Sequence, residues 1–356
     1  MAEKINGRVA YADLLRTLAV IGVIVYHLAQ SQMGSAAVGG QAWTVFNVYS
    51  SLTIWCAPVF VMLSGMFMLD PKRGLPLGKL FFHNILRLLV CLAFWGGLYA
   101  VVGYLTAGGN FSWWGLWNAM VNALKGNTHY HLWILYVILG LYLVTPVLRG
   151  FCKGASRGDF HYFFLLWFLF SSLLPMAFRV WPGTTAVLKF WYDRLQVQVV
   201  LGYAGYYIAG YYLKEYLLSR VAEAIIYVLG VCGAIVTVWG TAVLSRWAGR
   251  TNEALWDFFS PNVVCFSVAI VVLFRYVLGV SEERSRRQRL SGAARITFGI
   301  YLVHDFFLML LRFLHITTLS FIPVAAVPAL AALVFLLSFA VAWLLSRIPF
   351  VGRWLT

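Results

Sequence analysis

The sequence predicts an all-α, polytopic membrane protein of about ten transmembrane helices with cytoplasmic N- and C-termini. Three observations predict it. Hydrophobic residues make up 62% of the chain and charged residues only 11%, where a soluble domain carries about one quarter charged residues. Apolar runs of about 20 residues, enough to cross roughly 30 Å of hydrocarbon, recur from Leu14 to Leu345 with no polar block of domain size between them. Lys and Arg cluster in alternate loops. Residues 1–356 therefore read as a single integral-membrane domain.

Taken in order, the runs lie near 12–31, 44–69, 80–106, 132–148, 160–182, 196–213, 221–244, 263–280, 296–314 and 324–345. The second and third are long and the fourth and sixth short, differences that tilt and kinks absorb, with Pro58, Pro146 and Pro175 as candidate kinks. The first run is full length and no small-residue cleavage site follows a short core, so it is expected to remain as a helix rather than be removed as a signal. Residues 107–131 carry Trp113, Trp114 and Trp117 before Lys125, which predicts an interfacial helix at the outer face.

Orientation follows from the basic residues. One set of loops holds Lys4 and Arg8; Lys72, Arg73 and Lys79; Arg149, Lys153 and Arg157; Lys214 and Arg220; Arg284, Arg286, Arg287, Arg289 and Arg295; and Arg347 with Arg353. The opposite set holds only Lys125, Arg179, Lys189, Arg194, Arg246 and Arg250. The richer set faces the cytoplasm by the positive-inside rule. The net charge of +15 is thereby a topology signal, not a nucleic-acid footprint. Cys56, Cys91, Cys152, Cys232 and Cys265 are scattered singly without CxxC or Cys/His ligand spacing, so neither a disulfide framework nor a metal site is predicted.

Four arginines fall inside the runs: Arg16, Arg87, Arg275 and Arg312. A charge at mid-helix costs about 2.5–3.5 kcal/mol on insertion scales, so each needs a partner, a route to the interface or a function. Arg275 is close enough to the cytoplasmic end to snorkel. Arg312 follows Asp305 by two turns and is expected to pair with it. Arg16 precedes His27 by eleven residues, almost three whole turns, which puts both on one helix face about 16 Å apart along the axis. Asp13 joins that face one turn before Arg16, with Val20 and Val23 between. Lys79, His83 and Arg87 form a second cationic stripe at four-residue spacing, suited to phosphates or, for Lys79, to lipid headgroups.

These residues bring a known family into view. The stretch YADLLRTLAVIGVIVYH at 11–27, APVFVMLSG at 57–65, HLWILY at 131–136 with TPVLR after it, LGYAGYYIAGYYLK at 201–214 and FGIYLVH at 298–304 together resemble the acyltransferase 3 family of integral-membrane acyltransferases. That family includes bacterial surface-polysaccharide O-acetyltransferases, such as the enzyme acting on enterobacterial common antigen. The resemblance implies a bacterial inner-membrane enzyme, an acyl-CoA donor (acetyl-CoA the commonest) on the cytoplasmic side, and an acceptor hydroxyl on a glycan or lipid-linked sugar. By position, Arg16 and His27 inherit the family's functional pair. The chain departs from the family in two places. Asn84 occupies the first position of an Arg-x-x-Arg motif whose second is Arg87, and Asp305 stands where a proline commonly follows the ninth-helix histidine.

The expected mechanism follows from those positions. His27 is the general base toward the acceptor hydroxyl or a nucleophile that carries the acyl group, since an imidazole near pKa 6.5 suits either. Asp13 holds Arg16, and together they complete the catalytic face. Arg16, Arg87, Lys79 and His83 are the candidate acyl-CoA ligands, with aromatic and small residues of the second and ninth helices along the pantetheine path. His131 and His304 are candidate acceptor-side residues, although His304 also suits a packed, hydrogen-bonded histidine. His129, His161 and His315 read as solvated interfacial groups, and Ser64 and Gly65 as close-packing positions. Tryptophans 113, 114, 117, 181, 191, 247 and 256 suit an outer interfacial belt or sugar stacking. A transporter or flippase would also place Arg, Asp and His in the membrane, but the inverted repeat and broken helices common there are not evident. A b-type haem held by His27 with His131 or His304 is a third reading, which an absorbance spectrum of the purified protein tests. No metal, no nucleic acid and no particular oligomeric state are predicted.

Overall fold

Helices account for all the regular structure among the described residues, which in this computed structural model are 9–107, 111–125, 129–197, 202–278 and 289–356. In chain order they are α1 (Ala10–Ser31), α2 (Gln41–Thr53), α3 (Cys56–Met68), α4 (Leu86–Thr106), α5 (Trp113–Leu124), α6 (Trp133–Gly154), α7 (Arg157–Phe168), α8 (Leu174–Val180), α9 (Ala186–Leu195), α10 (Gly202–Glu215), α11 (Arg220–Ile235), α12 (Thr241–Ala248), α13 (Pro261–Tyr276), α14 (Arg289–Phe313), α15 (Pro323–Arg347) and α16 (Pro349–Trp354). Short 3-10 or π turns join several of them into longer rods. Among the described residues nine such rods are long and apolar enough to cross a membrane. Of the sixth predicted run, residues 198–201 lie outside the described residues, and the helix that follows them, α10, is buried along most of its 14 residues. Arg284, Arg286 and Arg287 lie outside the described residues, as do Lys4 and Arg8.

The three candidate kink prolines are placed differently. The second rod is interrupted at Ile54–Trp55, directly upstream of Pro58, whose missing N–H cannot bond the Ile54 carbonyl and whose ring crowds it. Pro175 follows a π turn at Leu169–Leu173, and Pro146 lies within α6. Polar caps start three of the helices. Ser112 accepts from the Gly115 N–H, Ser219 from the Ala222 N–H, and Ser156 with Asp159 makes a reciprocal capping box. A helix, α5, forms in the segment expected to be interfacial, with Trp113, Trp114 and Trp117 exposed. Trp256 is a correction to the aromatic belt: it is 5% exposed and donates to the Ser51 hydroxyl at 2.9 Å.

The chain divides into two units. One comprises residues 1–73 and 147–294, the other 74–146 and 295–356. In the first, α3 and α10 touch backbone to backbone. A Cβ on Gly65 would stand 1.8 Å from the Tyr207 carbonyl oxygen, and one on Gly210 would stand 1.8 Å from that of Met62. Only glycine permits this approach, the small-residue packing expected where hydrophobic force between helices is weak. A π turn at Val236–Gly240 exposes main-chain carbonyls inside the protein, and Asn47 answers by donating to Val238 at 2.9 Å. Asn262 donates to the Thr237 hydroxyl and the Leu255 carbonyl, both at 2.8 Å.

In the second unit, one stripe of α4 holds its neighbours. Arg87, Cys91 and Trp95, each four residues apart, donate to the main-chain oxygens of Thr356, Trp354 and Leu355, and Tyr99 continues the stripe to Leu302 at 2.6 Å. The carbonyl that ends α16 and the two that follow it, which no further helical turn can satisfy, are bonded this way.

Candidate active site

The sequence-predicted residues fall into two groups, one in each unit. In the first unit, α1 runs unbroken from Ala10 to Ser31, so the eleven-residue spacing of Arg16 and His27 does keep them on one face. Asp13 is 8% exposed and its Oδ1 lies 3.5 Å from Arg16 Nη1. Val20 and Val23 are buried between, and His27 is half-buried with its ring 5.6 Å from that of Tyr26.

Arg16 belongs to a larger cluster that sequence spacing does not reveal. Its guanidinium lies 5.9 Å from the centre of the Phe67 ring, which also receives Arg73 at 4.9 Å and Lys214 at 5.8 Å. Asp70 anchors two of these cations, with Lys214 at 2.6 Å and Arg73 at 3.6 Å, and accepts from the Lys72 N–H at 2.9 Å. Arg149 donates to the carbonyls of Met68 and Arg73, and Lys72 pairs with Glu215. Five cations thus surround three carboxylates, Asp13, Asp70 and Glu215, leaving an excess of positive charge about one aromatic face. The close packing of α3 on α10 produces this arrangement, because it delivers Phe67 and Lys214 from the ends of the two helices to one place.

Burial alone would raise the Asp70 carboxyl, but Lys214, the Lys72 N–H and Arg73 outweigh it and hold the group below its usual range. Since its folded-state pKa lies under the unfolded value of about 3.9, the stabilisation is complete above that value and disappears as pH falls through the folded one. Asp70→Asn should lower thermal stability at pH 7 by about 1–3 kcal/mol, the cost of uncoupling a largely buried charge partner. The variant and the parent should converge in melting temperature on acidification. Parallel curves at every pH would contradict the assignment.

Lys79, His83 and Arg87 lie in the second unit. A π turn occupies Leu80–Ile85, widening the helix between them. Lys79 is exposed and His83 half-buried. Arg87 is engaged with the Thr356 main-chain oxygen, and its guanidinium lies 5.4 Å from the centre of the Phe298 ring.

His131 and His304 come together in the same unit, both fully buried, with ring centres 5.1 Å apart and nearly perpendicular planes. His304 Nδ1 lies 2.5 Å from the Tyr301 carbonyl, an oxygen that can only accept, so Nδ1 carries the proton. Tyr301 in turn donates to the His131 carbonyl. Fully buried Asp305 accepts from Tyr130 on Oδ1 and faces His129 Nε2 at 3.2 Å on Oδ2, with Arg312 Nη2 at 3.7 Å as the sequence anticipates. His129 Nδ1 meets His131 Nδ1 at 3.1 Å. His129 is thus corrected from a solvated group to one whose side chain is 18% exposed. Burial holds its pKa below the ordinary imidazole value, Asp305 pulls the other way, and Arg312 adds to the lowering. His315 is exposed as expected, and His161 bonds the Tyr212 hydroxyl at 2.8 Å.

A family model described as an acyltransferase domain, the acyltransferase 3 model, matches residues 9–347. The chain belongs to the acyltransferase 3 family. No curated protein and no solved structure matches the chain. The matched span takes in most of both units and includes the residues of the Asp13–Arg16–His27 face and of the histidine cluster.

Proposed function

We propose that this acyltransferase 3 protein is an acyl-CoA-dependent O-acyltransferase of the bacterial inner membrane that moves an acetyl group to a hydroxyl of a cell-surface glycan or lipid-linked sugar. The observation that carries the reading is the face of α1, where a carboxylate-held guanidinium and an imidazole stand three turns apart within a chain of acyltransferase family. The excess positive charge around Phe67 supports it, since nucleotide phosphates are recognised by bidentate guanidinium contacts. In the reaction the acceptor oxygen attacks the thioester carbonyl while His27 removes its proton. The carbon–sulfur bond breaks, and the proton passes from His27 to the departing thiolate. If His27 attacks first, the acyl group rests on its nitrogen and the same bonds are exchanged in two steps. His131 and His304 are assigned to the acceptor side.

Incubating membranes that contain the protein with acetyl-CoA labelled in the acetyl group should leave label in a base-labile glycan or lipid-linked sugar fraction. Label that stays in acetyl-CoA, or only crosses the bilayer unchanged, would defeat the reading. Arg16→Ala should weaken binding of CoA by about tenfold, roughly the 1.4 kcal/mol of one charge-assisted contact. Calorimetry on the purified protein measures this, and an unchanged dissociation constant would remove Arg16 from the donor site.

A further inference from the structure

The His129–His131–Asp305 cluster has a donor set that its sequence spacing does not announce. We propose that these three side chains form a binding site for a divalent transition-metal ion, with zinc the ion they suit best. One donor atom from each lies within 4.8 Å of the others. Two imidazoles and a carboxylate are borderline and hard ligands of the kind zinc accepts, and three protein ligands leave the fourth tetrahedral position for water. Zinc–ligand bonds of about 2.0–2.1 Å imply ligand–ligand edges of about 3.3–3.4 Å. His129 Nδ1 stands 3.1 Å from His131 Nδ1, close to that edge, while the 3.2 Å contact of His129 with Asp305 is made through its other nitrogen, Nε2.

The rearrangement needed is small. His129 touches His131 through Nδ1 and Asp305 through Nε2, so its ring must turn to offer one nitrogen to the ion. It has room, being the one member of the three that is not fully buried. The surroundings already resemble an outer coordination shell: Tyr130 donates to the other oxygen of Asp305, and Tyr301 fixes the main chain of His131. Arg312 is the opposing effect, since its guanidinium approaches the same carboxylate oxygen. At 3.7 Å on a side chain that is 50% exposed it is a loose partner that can move toward the interface, whereas the fully buried Asp305 charge gains far more from an ion in direct contact.

The test uses the full-length protein in detergent, stripped with a chelator, reloaded with zinc or cobalt(II) and freed of excess ion. The inference expects about one ion per chain by elemental analysis, and visible absorption bands of tetrahedral intensity for the cobalt form. His129→Gln and Asp305→Asn, which preserve size, should each lower metal affinity at least tenfold, while His161→Gln should not. Stripped protein that takes up no stoichiometric ion would overturn the inference, as would both cluster variants binding like the parent. The cobalt spectrum of the unmodified chain decides the matter even where a variant fails to fold. Transfer activity enters none of these readouts, so the site and the acyltransfer reading can fail separately.

Discussion

Alanine in place of His27 should abolish acyl transfer, a loss of at least about 10²–10⁴-fold for a missing general base and more for a missing nucleophile. The fold should tolerate the change. His27 is half-buried on a continuous helix, and alanine is the best helix former. The measurement is incorporation of labelled acetyl groups by purified, monodisperse variant at saturating acetyl-CoA. CoA affinity should stay close to that of the parent, because the phosphates are assigned to Arg16 and its neighbours. Full turnover in this variant would leave the reaction without its base.

The second large effect is structural. Gly65→Ala and Gly210→Ala each force a Cβ to within 1.8 Å of a carbonyl oxygen on the facing helix, a contact that no side-chain rotation relieves. Overpacking usually costs about 1–3 kcal/mol, and a clash of backbone against backbone belongs at or beyond the upper end. Either variant should fall sharply in yield and melting temperature in detergent. Gly97→Ala and Gly140→Ala, where an added Cβ meets nothing within 4 Å, should match the parent. The site should suffer along with the fold, since separating α3 from α10 pulls Phe67 away from Lys214. Melting curves for the Gly65 and Gly210 variants that overlay those of the controls would show that the two helices are not held at this distance.

Much of the scaffold is legible in the amino-acid sequence, because a hydrocarbon solvent demands long apolar runs and tolerates few exceptions. The crossing helices, the tryptophan-bearing helix before Lys125 and the break near Pro58 follow from that rule. The π turns at Leu80–Ile85, Leu169–Leu173 and Val236–Gly240 do not, since nothing in a uniformly apolar sequence marks an extra residue in a turn. The 196–213 run is described only in part, since residues 198–201 lie outside the described residues. Its helix α10 is rich in glycine and tyrosine and buried along most of its length, so its hydropathy reports burial by protein.

The candidate site divides the same way. Asp13 and Arg16 are legible because they lie one turn apart on a single helix, and Arg312 with Asp305 for the same reason at two turns. Lys214 meets Phe67 and Asp70 only after α3 and α10 have packed, the Asp70–Lys214 pair joining residues 144 apart in the sequence. His129 reads as solvated because its neighbours in sequence form a loop. Its decisive partner comes from α14, where the adjacent Tyr130 meets Asp305 across 175 residues.

The most direct test of the central claim is a density map of the protein with a non-transferable acetyl-CoA analogue bound. The expected map shows a CoA phosphate within hydrogen-bond reach of the Arg16 guanidinium and the acyl carbonyl beside the His27 imidazole, both in one protein-lined cavity. An analogue seated elsewhere, or a His27 ring turned toward lipid while the analogue is bound, would contradict it.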